Sequence, residues 1–284
     1  MTRFAVALAS FLALAVSAPA SAQEINTERF RPSLDRFGFL GFNGSATPGH
    51  GRYNLGLSTW YSNRPLRIRY PDGTGDQLID HRMTGDFFFE VGLFGRWSLA
   101  LEIPLVLYQT GETDDPVNGP RSFTGFAVED PRFTTKVRFF GEKTEKTQNR
   151  PDGPGMGLLL TLPVPIGSSS FYASEGQFSF DAQLLADFHL LGAGAGLMLG
   201  WRYRVNERSF GVDTLGQELQ YGFSLKPPIP PAKDLFGLLE LRGTTSFRGK
   251  STNTMEGDIG IRWTKNHVTL TCLLYTYPSP QDHL

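Results

Sequence analysis

The chain has 284 residues, with 27 Lys and Arg against 28 Asp and Glu, and a formal net charge of -1. This balance excludes the basic footprint expected of a nucleic-acid-binding protein. After the first 22 residues no stretch approaches 18 uninterrupted apolar residues, so membrane-spanning helices are not expected there.

The N-terminus has the pattern of a secretory signal. Arg3 precedes an apolar run over residues 4–16, and Ala20-Ser21-Ala22 supplies small residues for cleavage. We predict a signal peptide over residues 1–22. A single membrane-anchor helix is disfavoured because the apolar run is too short to span a bilayer. Residues 23–52 are assigned to an N-terminal periplasmic segment.

From residue 53 onward, apolar and polar residues alternate in long segments. The pattern is clearest in residues 177–206, where Phe178 and Phe180 alternate with Ser179 and Asp181. A side-chain period of two occurs only in β-strands, so each segment has one apolar and one polar face. Strands of about ten residues are also what a tilted bilayer crossing needs.

Ten such strands are predicted, and the even spread of the pattern favours one domain over residues 53–271. The strands lie near 53–61, 83–93, 97–107, 132–139, 156–162, 178–190, 194–206, 218–226, 235–247 and 255–263. We therefore predict an all-β fold, an antiparallel up-and-down transmembrane β-barrel with about ten strands present of an expected twelve. Twelve are expected because closed single-chain bacterial barrels have an even number of strands.

A soluble β-sandwich has strands with the same two faces, but its apolar face is turned into a core. Periodicity alone does not separate the two folds. The secretory signal and the strand length favour the barrel, because a membrane location without spanning helices requires strands. The mean hydropathy of -0.22 agrees, since half of each barrel strand faces the interior.

Aromatic residues at strand ends are predicted to form girdles at the two membrane interfaces, as barrels have. These residues are Tyr53, Tyr61, Trp97, Tyr203 and Trp263. Core packing is the alternative role for them. Long external connections are predicted near 62–82, 108–126, 164–177, 207–216 and 248–254, with tight periplasmic turns between them. Residues 141–154 and 227–234 are longer than this rule predicts for periplasmic turns.

Charged residues on the polar faces are predicted to line the interior of the barrel. They are Asp86, Glu90, Glu102, Arg132, Lys136, Arg138, Asp181, Asp187, Arg202, Arg204, Glu218, Glu240, Arg242, Asp258 and Arg262. Their signs nearly balance, which favours ion pairs that fill the interior over a selective pore with a ring of one sign. Arg202 and Arg204 are expected to pair with acids of the neighbouring strands.

An open channel stays the alternative, and the basic group at residues 132–138 would then favour anionic solutes. An enzyme is not expected, because His50, His81 and His189 have no evident serine partner. No catalytic residue, cofactor-binding residue or metal ligand is predicted, since the usual spacings are absent from the sequence.

The last residues fit neither a strand nor the end of a barrel. Residues 272–284 resemble the translation of a sequencing adapter, with two changes. We predict that they are not native and that the gene is truncated inside an eleventh strand beginning near His267. Cys272, the only cysteine, then supports no disulfide or metal site.

Several motifs in residues 28–140 resemble the N-terminal barrel of large OmpA-family outer-membrane proteins. These are Phe30-Arg31-Pro32, Thr47-Pro48-Gly49-His50, Asn54-Leu55-Gly56-Leu57, Asn63-Arg64-Pro65-Leu66 and Leu105-Val106-Leu107-Tyr108-Gln109. The resemblance implies a bacterial outer-membrane location and an envelope-anchoring role. It also implies contact with outer-membrane lipid, and with peptidoglycan through a C-terminal domain missing here. A porin or small-solute transporter is the alternative, and no nucleic-acid partner is predicted.

Overall fold

The computed structural model describes residues 30–276 except 37, 70–74, 116–118, 145–152, 192, 211–212, 233, 247–253 and 266. The strands are β1 (Tyr53–Arg69), β2 (Gly75–Leu93), β3 (Trp97–Thr110), β4 (Glu112–Asp115), β5 (Gly119–Ser122), β6 (Gly125–Val128), β7 (Arg132–Phe140), β8 (Gly153–Pro163), β9 (Ser179–Leu190), β10 (Ala193–Arg204), β11 (Arg208–Phe210), β12 (Asp213–Leu215), β13 (Glu218–Lys226), β14 (Leu235–Ser246), β15 (Thr254–Lys265) and β16 (Val268–Thr276). A single 3-10 turn, Ser169–Phe171, interrupts them within the described residues. Among the described residues, no helix is long and apolar enough to cross a membrane.

The long strands form one antiparallel meander. Its order is β1-β2-β3-β7-β8-β9-β10-β13-β14-β15-β16, with β6 added on β3, and the sheet curls into a half-barrel. The predicted antiparallel up-and-down fold is confirmed. β4 with β5 and β11 with β12 form separate hairpins. In the described part of the chain, β1 and β16 are the two edges of the sheet and do not pair with each other.

Side chains alternate between the two faces of the sheet as the sequence pattern predicts. In β13, for example, alternate residues from Glu218 to Lys226 are buried, while Tyr221, Phe223 and Leu225 are exposed. The buried face is the polar one. We call this buried, polar side of the curved sheet the inner face.

The first predicted connection, 62–82, is wrong for most of its length. β1 continues to Arg69 and β2 begins at Gly75, so both are far longer than the nine or so residues that cross a bilayer. The two strands extend this far because apolar side chains pack between the hairpin and a neighbouring loop, which the alternation pattern does not reveal. Leu78 and Ile79 are buried and contact Leu66 and Tyr172, which holds the extended hairpin together.

Strand structure also occupies parts of the other predicted connections and the chain's end. β4 and β5 lie within 108–126, and β11 and β12 within 207–216. β16 starts at Val268, close to the position predicted for an eleventh strand, and continues through residues 272–276. The expectation that the last residues do not fit a strand is wrong for residues 272–276, because the free edge of β15 can pair with any backbone. Residues 277–284, to which the same expectation applied, lie outside the described residues. Their predicted non-native origin stays a prediction.

Candidate functional site

The charged residues predicted to face the interior all lie on the inner face. Each is buried, apart from Arg202 and Arg242, which are partly buried. Charges are rarely buried unless they are paired, because an isolated charge loses its hydration. The partners of these residues therefore define the site.

Arg132 lies between two acids of neighbouring strands. Its Nη2 atom is 2.6 Å from Asp86 Oδ2, and its Nε atom is 2.8 Å from Glu102 Oε2. Register explains this geometry, because β3 pairs Glu102 directly with Arg132. Acidic residues of the sheet thus neutralise part of the basic group at residues 132–138. We call the long strands of the meander, with their inner-face side chains, the wall.

Arg202 and Arg204 lie among acids of the adjacent strands. Arg202 Nε is 2.5 Å from Asp181 Oδ1, and Arg204 Nη1 is 3.0 Å from Glu218 Oε1. Asp187, another acid of the neighbouring strand β9, instead accepts hydrogen bonds from Ser45.

A third cluster surrounds Arg242 on β14. Its guanidinium lies 2.9 Å from Glu240, 3.4 Å from Glu256 and 3.0 Å from Asp258. One cation among three carboxylates leaves acceptor capacity on the acids.

Residues 30–49, which we call the N-terminal segment, cover the inner face. Five large apolar side chains of the segment are buried, those of Phe30, Leu34, Phe39, Leu40 and Phe42. None of the described residues of this segment belongs to a strand. The periplasmic location predicted for residues 23–52 stays a prediction, but the described part of this region packs against the sheet.

Two carboxylates of the wall accept hydrogen bonds from the backbone of the segment. The N–H groups of Leu40 and Gly41 donate to the two oxygens of Glu240, at 2.9 and 2.8 Å. The backbone N–H and the hydroxyl of Ser45 donate to Asp187, the hydroxyl at 2.9 Å. Hydrogen bonds to an ionised acceptor are roughly twice as strong as neutral ones.

Basic residues of the wall complement this by donating to the segment. Arg262 donates to the carbonyl oxygens of Gly38 and Phe39, at 2.6 and 2.8 Å. Lys136 Nζ donates to Asp35 at 3.4 Å and to the Gly44 carbonyl at 3.3 Å. The wall therefore binds the segment through charged side chains of both signs.

The start of the segment reaches two parts of the wall. Arg31 Nη1 lies 2.5 Å from Asp181 Oδ2, which also binds Arg202. The ring of Phe30 meets Trp60 of β1 edge-on, with centroids 5.4 Å apart, and lies 5.3 Å below the guanidinium of Arg242. Phe30 thereby bridges the first strand of the meander and one near its end.

A small apolar cluster lies under the middle of the segment. Phe39 and Phe42 contact Leu159, Leu185 and Met198, which belong to β8, β9 and β10. These three wall residues are apolar, as are Ala100, Val106 and Leu238 elsewhere on the inner face, where most other buried side chains are polar.

Glycines of the wall provide the space for the segment. A Cβ atom at Gly196 would overlap the ring of Phe39, and one at Gly155 would overlap the hydroxyl of Ser45. A Cβ atom at Gly92 would overlap the carbonyl of Pro48. The alternation of polar and apolar residues predicts no role for these glycines. Their recurrence at inner-face positions of different strands is the signal that could have indicated an occupant.

A cap covers the inner face at the end of the sheet where the long connections lie. It consists of residues 164–178 and Glu129 with Asp130, which pack near the extended β1–β2 hairpin. Asp130 accepts hydrogen bonds from the N–H groups of Gly167 at 2.9 Å and Glu175 at 3.0 Å. Burial raises the pKa of Asp130 despite these donors.

Glu175 connects this cap to the wall. Its carboxylate forms a two-pronged pair with Arg204, with both distances 3.1 Å. Burial alone would raise the pKa of Glu175, but Arg204 and Arg202 outweigh it and hold the pKa below its usual value.

The aromatic residues predicted for the interface girdles lie mainly on the exposed face. Tyr53, Tyr61, Trp97 and Trp263 are exposed, and Tyr203 is half-buried against Phe180 and Trp201. Whether they lie at a membrane interface stays a prediction.

The three histidines considered in the sequence lie in different surroundings in the structure. His189 is buried and stacks on Phe39, with centroids 6.0 Å apart. His50 stacks on Phe94, and His81 is hydrogen-bonded to Tyr61. Over the part of the chain that is described, no group of three or more His, Cys, Asp or Glu could hold a metal ion.

Comparison of the chain with protein-family models gives no match, and comparison with curated proteins gives none either.

Proposed function

We propose that this protein is an integral β-barrel of the bacterial outer membrane, and that it is the membrane anchor of an OmpA-like envelope protein with a charged, largely filled interior. One observation carries the proposal, the inverted polarity of the sheet. Its exposed face is apolar, and its buried face carries the charges.

The exposed apolar side chains are contiguous across neighbouring strands. Leu197 and Leu199 of β10 stand beside Ala186 and Leu184 of β9, and beside Phe223 and Tyr221 of β13 on the other side. Soluble monomers rarely expose an apolar patch larger than a few hundred Å². Contact with lipid would make the exposure of such an apolar face favourable. An apolar outer face around a polar interior is the usual arrangement of a membrane barrel.

The filled interior supports an anchor over a transporter. The N-terminal segment occupies the inner face, and the basic group that would attract anionic solutes is already engaged. Arg132 binds Asp86 and Glu102, and Lys136 binds the segment. Paired charges lack the single-sign ring that is typical of a selective pore.

The assignment to an OmpA-like protein rests on the resemblance of the motifs in residues 28–140. Attachment to peptidoglycan, through a domain outside this chain, is proposed from the same resemblance. The structural observations support the barrel, and they leave these two points as proposals.

The test is expression of the complete native gene, including the N-terminal signal, in a Gram-negative host, followed by membrane fractionation. We expect the protein in the outer-membrane fraction, with faster gel migration before boiling than after it. Recovery in the soluble periplasmic fraction would overturn the barrel. Reproducible large openings of the unmodified protein in planar bilayers would favour the porin alternative.

A further inference from the structure

We propose that Phe94 and Leu191, at the tips of two tight turns, are immersed in the membrane interface, where lipid headgroups meet acyl chains. The inference rests on the proposed membrane barrel. It places the end of the lipid-contacting surface at the tips of these turns, whereas the short turns of a barrel are expected in the periplasm.

The two turns lie at the same end of the sheet. Phe94 belongs to the turn between β2 and β3, and Leu191 to the turn between β9 and β10. Because β2 and β9 run in the same direction in the antiparallel meander, both strands end on the same side. Two strands, β7 and β8, separate the hairpins, so the tips are roughly 19 Å apart across the sheet, at about 4.8 Å per strand.

Both tip residues have a backbone conformation that is unusual for their side chains. Their φ angles are +56° for Phe94 and +51° for Leu191. This left-handed region crowds the Cβ atom against the backbone, and tight hairpin turns normally have Asn, Asp or Gly there. For a bulky apolar residue the conformation is an outlier, which persists only where the surroundings compensate for it.

Within the chain, the two side chains have few contacts that would compensate. Leu191 is 87% exposed, the highest value among the large apolar side chains that the structure describes, and Phe94 is 69% exposed. The Phe94 ring stacks on His50, with centroids 5.5 Å apart. In water, the exposed apolar surface would add to the cost of the backbone conformation. Immersion in lipid removes that surface from water and so offsets the cost.

The turn that carries Phe94 is fixed by its neighbours. The N–H group of Phe94 donates to His50 Nδ1 at 3.1 Å. On the other side, the N–H group of Thr144 donates to the carbonyl oxygen of Gly95 at 3.1 Å. These hydrogen bonds hold the turn at the end of the sheet, and the ring with it.

The exposed apolar face of the sheet reaches both turns. Leu190, directly before Leu191, is 53% exposed, and the exposed Trp97 pairs with Leu93 at the base of the Phe94 turn. The tips therefore continue the face that we propose to contact lipid. One pocket of a protein partner would not accept two tips on separate hairpins, but a bilayer surface contacts both.

Nitroxide labels in lipid vesicles test the position of the Leu191 tip. Leu191→Cys is made in the complete native protein with Cys272→Ser, and the label's collisions are measured with oxygen, which is enriched among acyl chains, and with a water-soluble nickel chelate. Leu199→Cys, in the middle of β10, is the lipid reference. Ser170→Cys, an exposed position of the cap, is the water reference.

We expect the oxygen-to-nickel collision ratio at position 191 to exceed that at position 170 at least threefold and to approach that at 199. A ratio equal to that at 170, with a lipid-like ratio at 199, would overturn the immersed tip and leave the barrel intact. Few collisions with both reagents would show a protein contact and would also overturn it. A water-like ratio at 199 would instead overturn the proposed function.

A second measurement uses the backbone preference of the tip. Asn is better suited than Leu to the left-handed conformation, so Leu191→Asn should stabilise a turn that lies in water. For an immersed tip, we expect Leu191→Asn to raise the equilibrium constant of unfolding from vesicles at least threefold. Leu191→Met, which keeps an apolar side chain on the same backbone, is the matched control and should change it less than twofold. An unchanged or lower unfolding constant in Leu191→Asn would show that lipid does not stabilise the tip, and the inference would be wrong.

Discussion

Arg82 and Glu129 form an ion pair of 2.6 Å in which both side chains are completely buried. Arg82 lies on β2, and Glu129 follows β6 at the end of the sheet that the cap covers. Arg82 also donates to the carbonyl of Tyr172, at 3.4 Å. The pair therefore joins the sheet to the cap.

Removing one partner of this pair should destabilise the protein strongly. We expect Glu129→Ala to lower the free energy of unfolding by about 3–5 kcal/mol, because it leaves a buried cation without its main partner. The double variant Arg82→Met/Glu129→Leu should recover most of this loss. Urea unfolding in lipid vesicles measures both effects. A loss below about 1 kcal/mol in Glu129→Ala would contradict the prediction.

Adding bulk at Gly196 should displace the N-terminal segment. Since a Cβ atom there overlaps the ring of Phe39, we expect Gly196→Leu to cost about 1–3 kcal/mol of stability. The matched control is Ala195→Leu, which adds the same side chain to the opposite face of β10. Phe39→Ala should partly rescue Gly196→Leu. Equal losses of stability in the two leucine variants would argue against the packing of the Phe39 ring on Gly196.

Two exposed leucines distinguish a membrane surface from a water-facing one. Leu190 and Leu199 are both 53% exposed, but Leu190 ends β9 whereas Leu199 lies in the middle of β10. In a bilayer, Leu199→Arg should cost about 2–4 kcal/mol and Leu190→Arg only about 0–1 kcal/mol.

The comparison is made by reversible unfolding from lipid vesicles. In a soluble protein, both substitutions would have equally small effects, because neither side chain contributes to a core. Equal and small costs would therefore count against the membrane barrel.

Acid should release the contact between the cap and the wall. The pKa of Glu175 lies below its ordinary value of 4.5 in the folded protein. The folded state therefore binds fewer protons than the unfolded state in this range, and the stabilisation is complete above that value. It is lost as the pH falls through the lowered pKa.

Glu175→Gln is the test for this prediction, measured as the difference in unfolding free energy from the unmodified protein at pH 7 and pH 3. We expect a loss of about 1.5–3 kcal/mol at pH 7 and a much smaller one at pH 3. Asp130, whose pKa is raised by burial, contributes in the opposite direction but is present in both proteins. A difference independent of pH would show that the Glu175–Arg204 pair contributes no charge-dependent stability.

The sequence by itself determined the long strands of the meander, apart from the extension of the β1–β2 hairpin, and the residues on each of their faces. The side-chain period of two places Leu197, Leu199 and Trp201 on the face of β10 opposite its polar side chains. This period depends only on the local backbone. The close pairing of Asp181 with Arg202 also agrees with the alternation, because antiparallel register places them opposite each other. Such properties need no knowledge of distant parts of the chain.

Only the tertiary structure decided what occupies the inner face. Leu40 meets Glu240 across 200 residues, and Ser45 meets Asp187 across 142. The donors are mainly backbone N–H groups, which every residue except proline has, so these contacts have no signature in the segment's own sequence. Curvature of the sheet brings the acceptors together, and the glycines opposite Phe39 and Ser45 become meaningful only once that curvature is known.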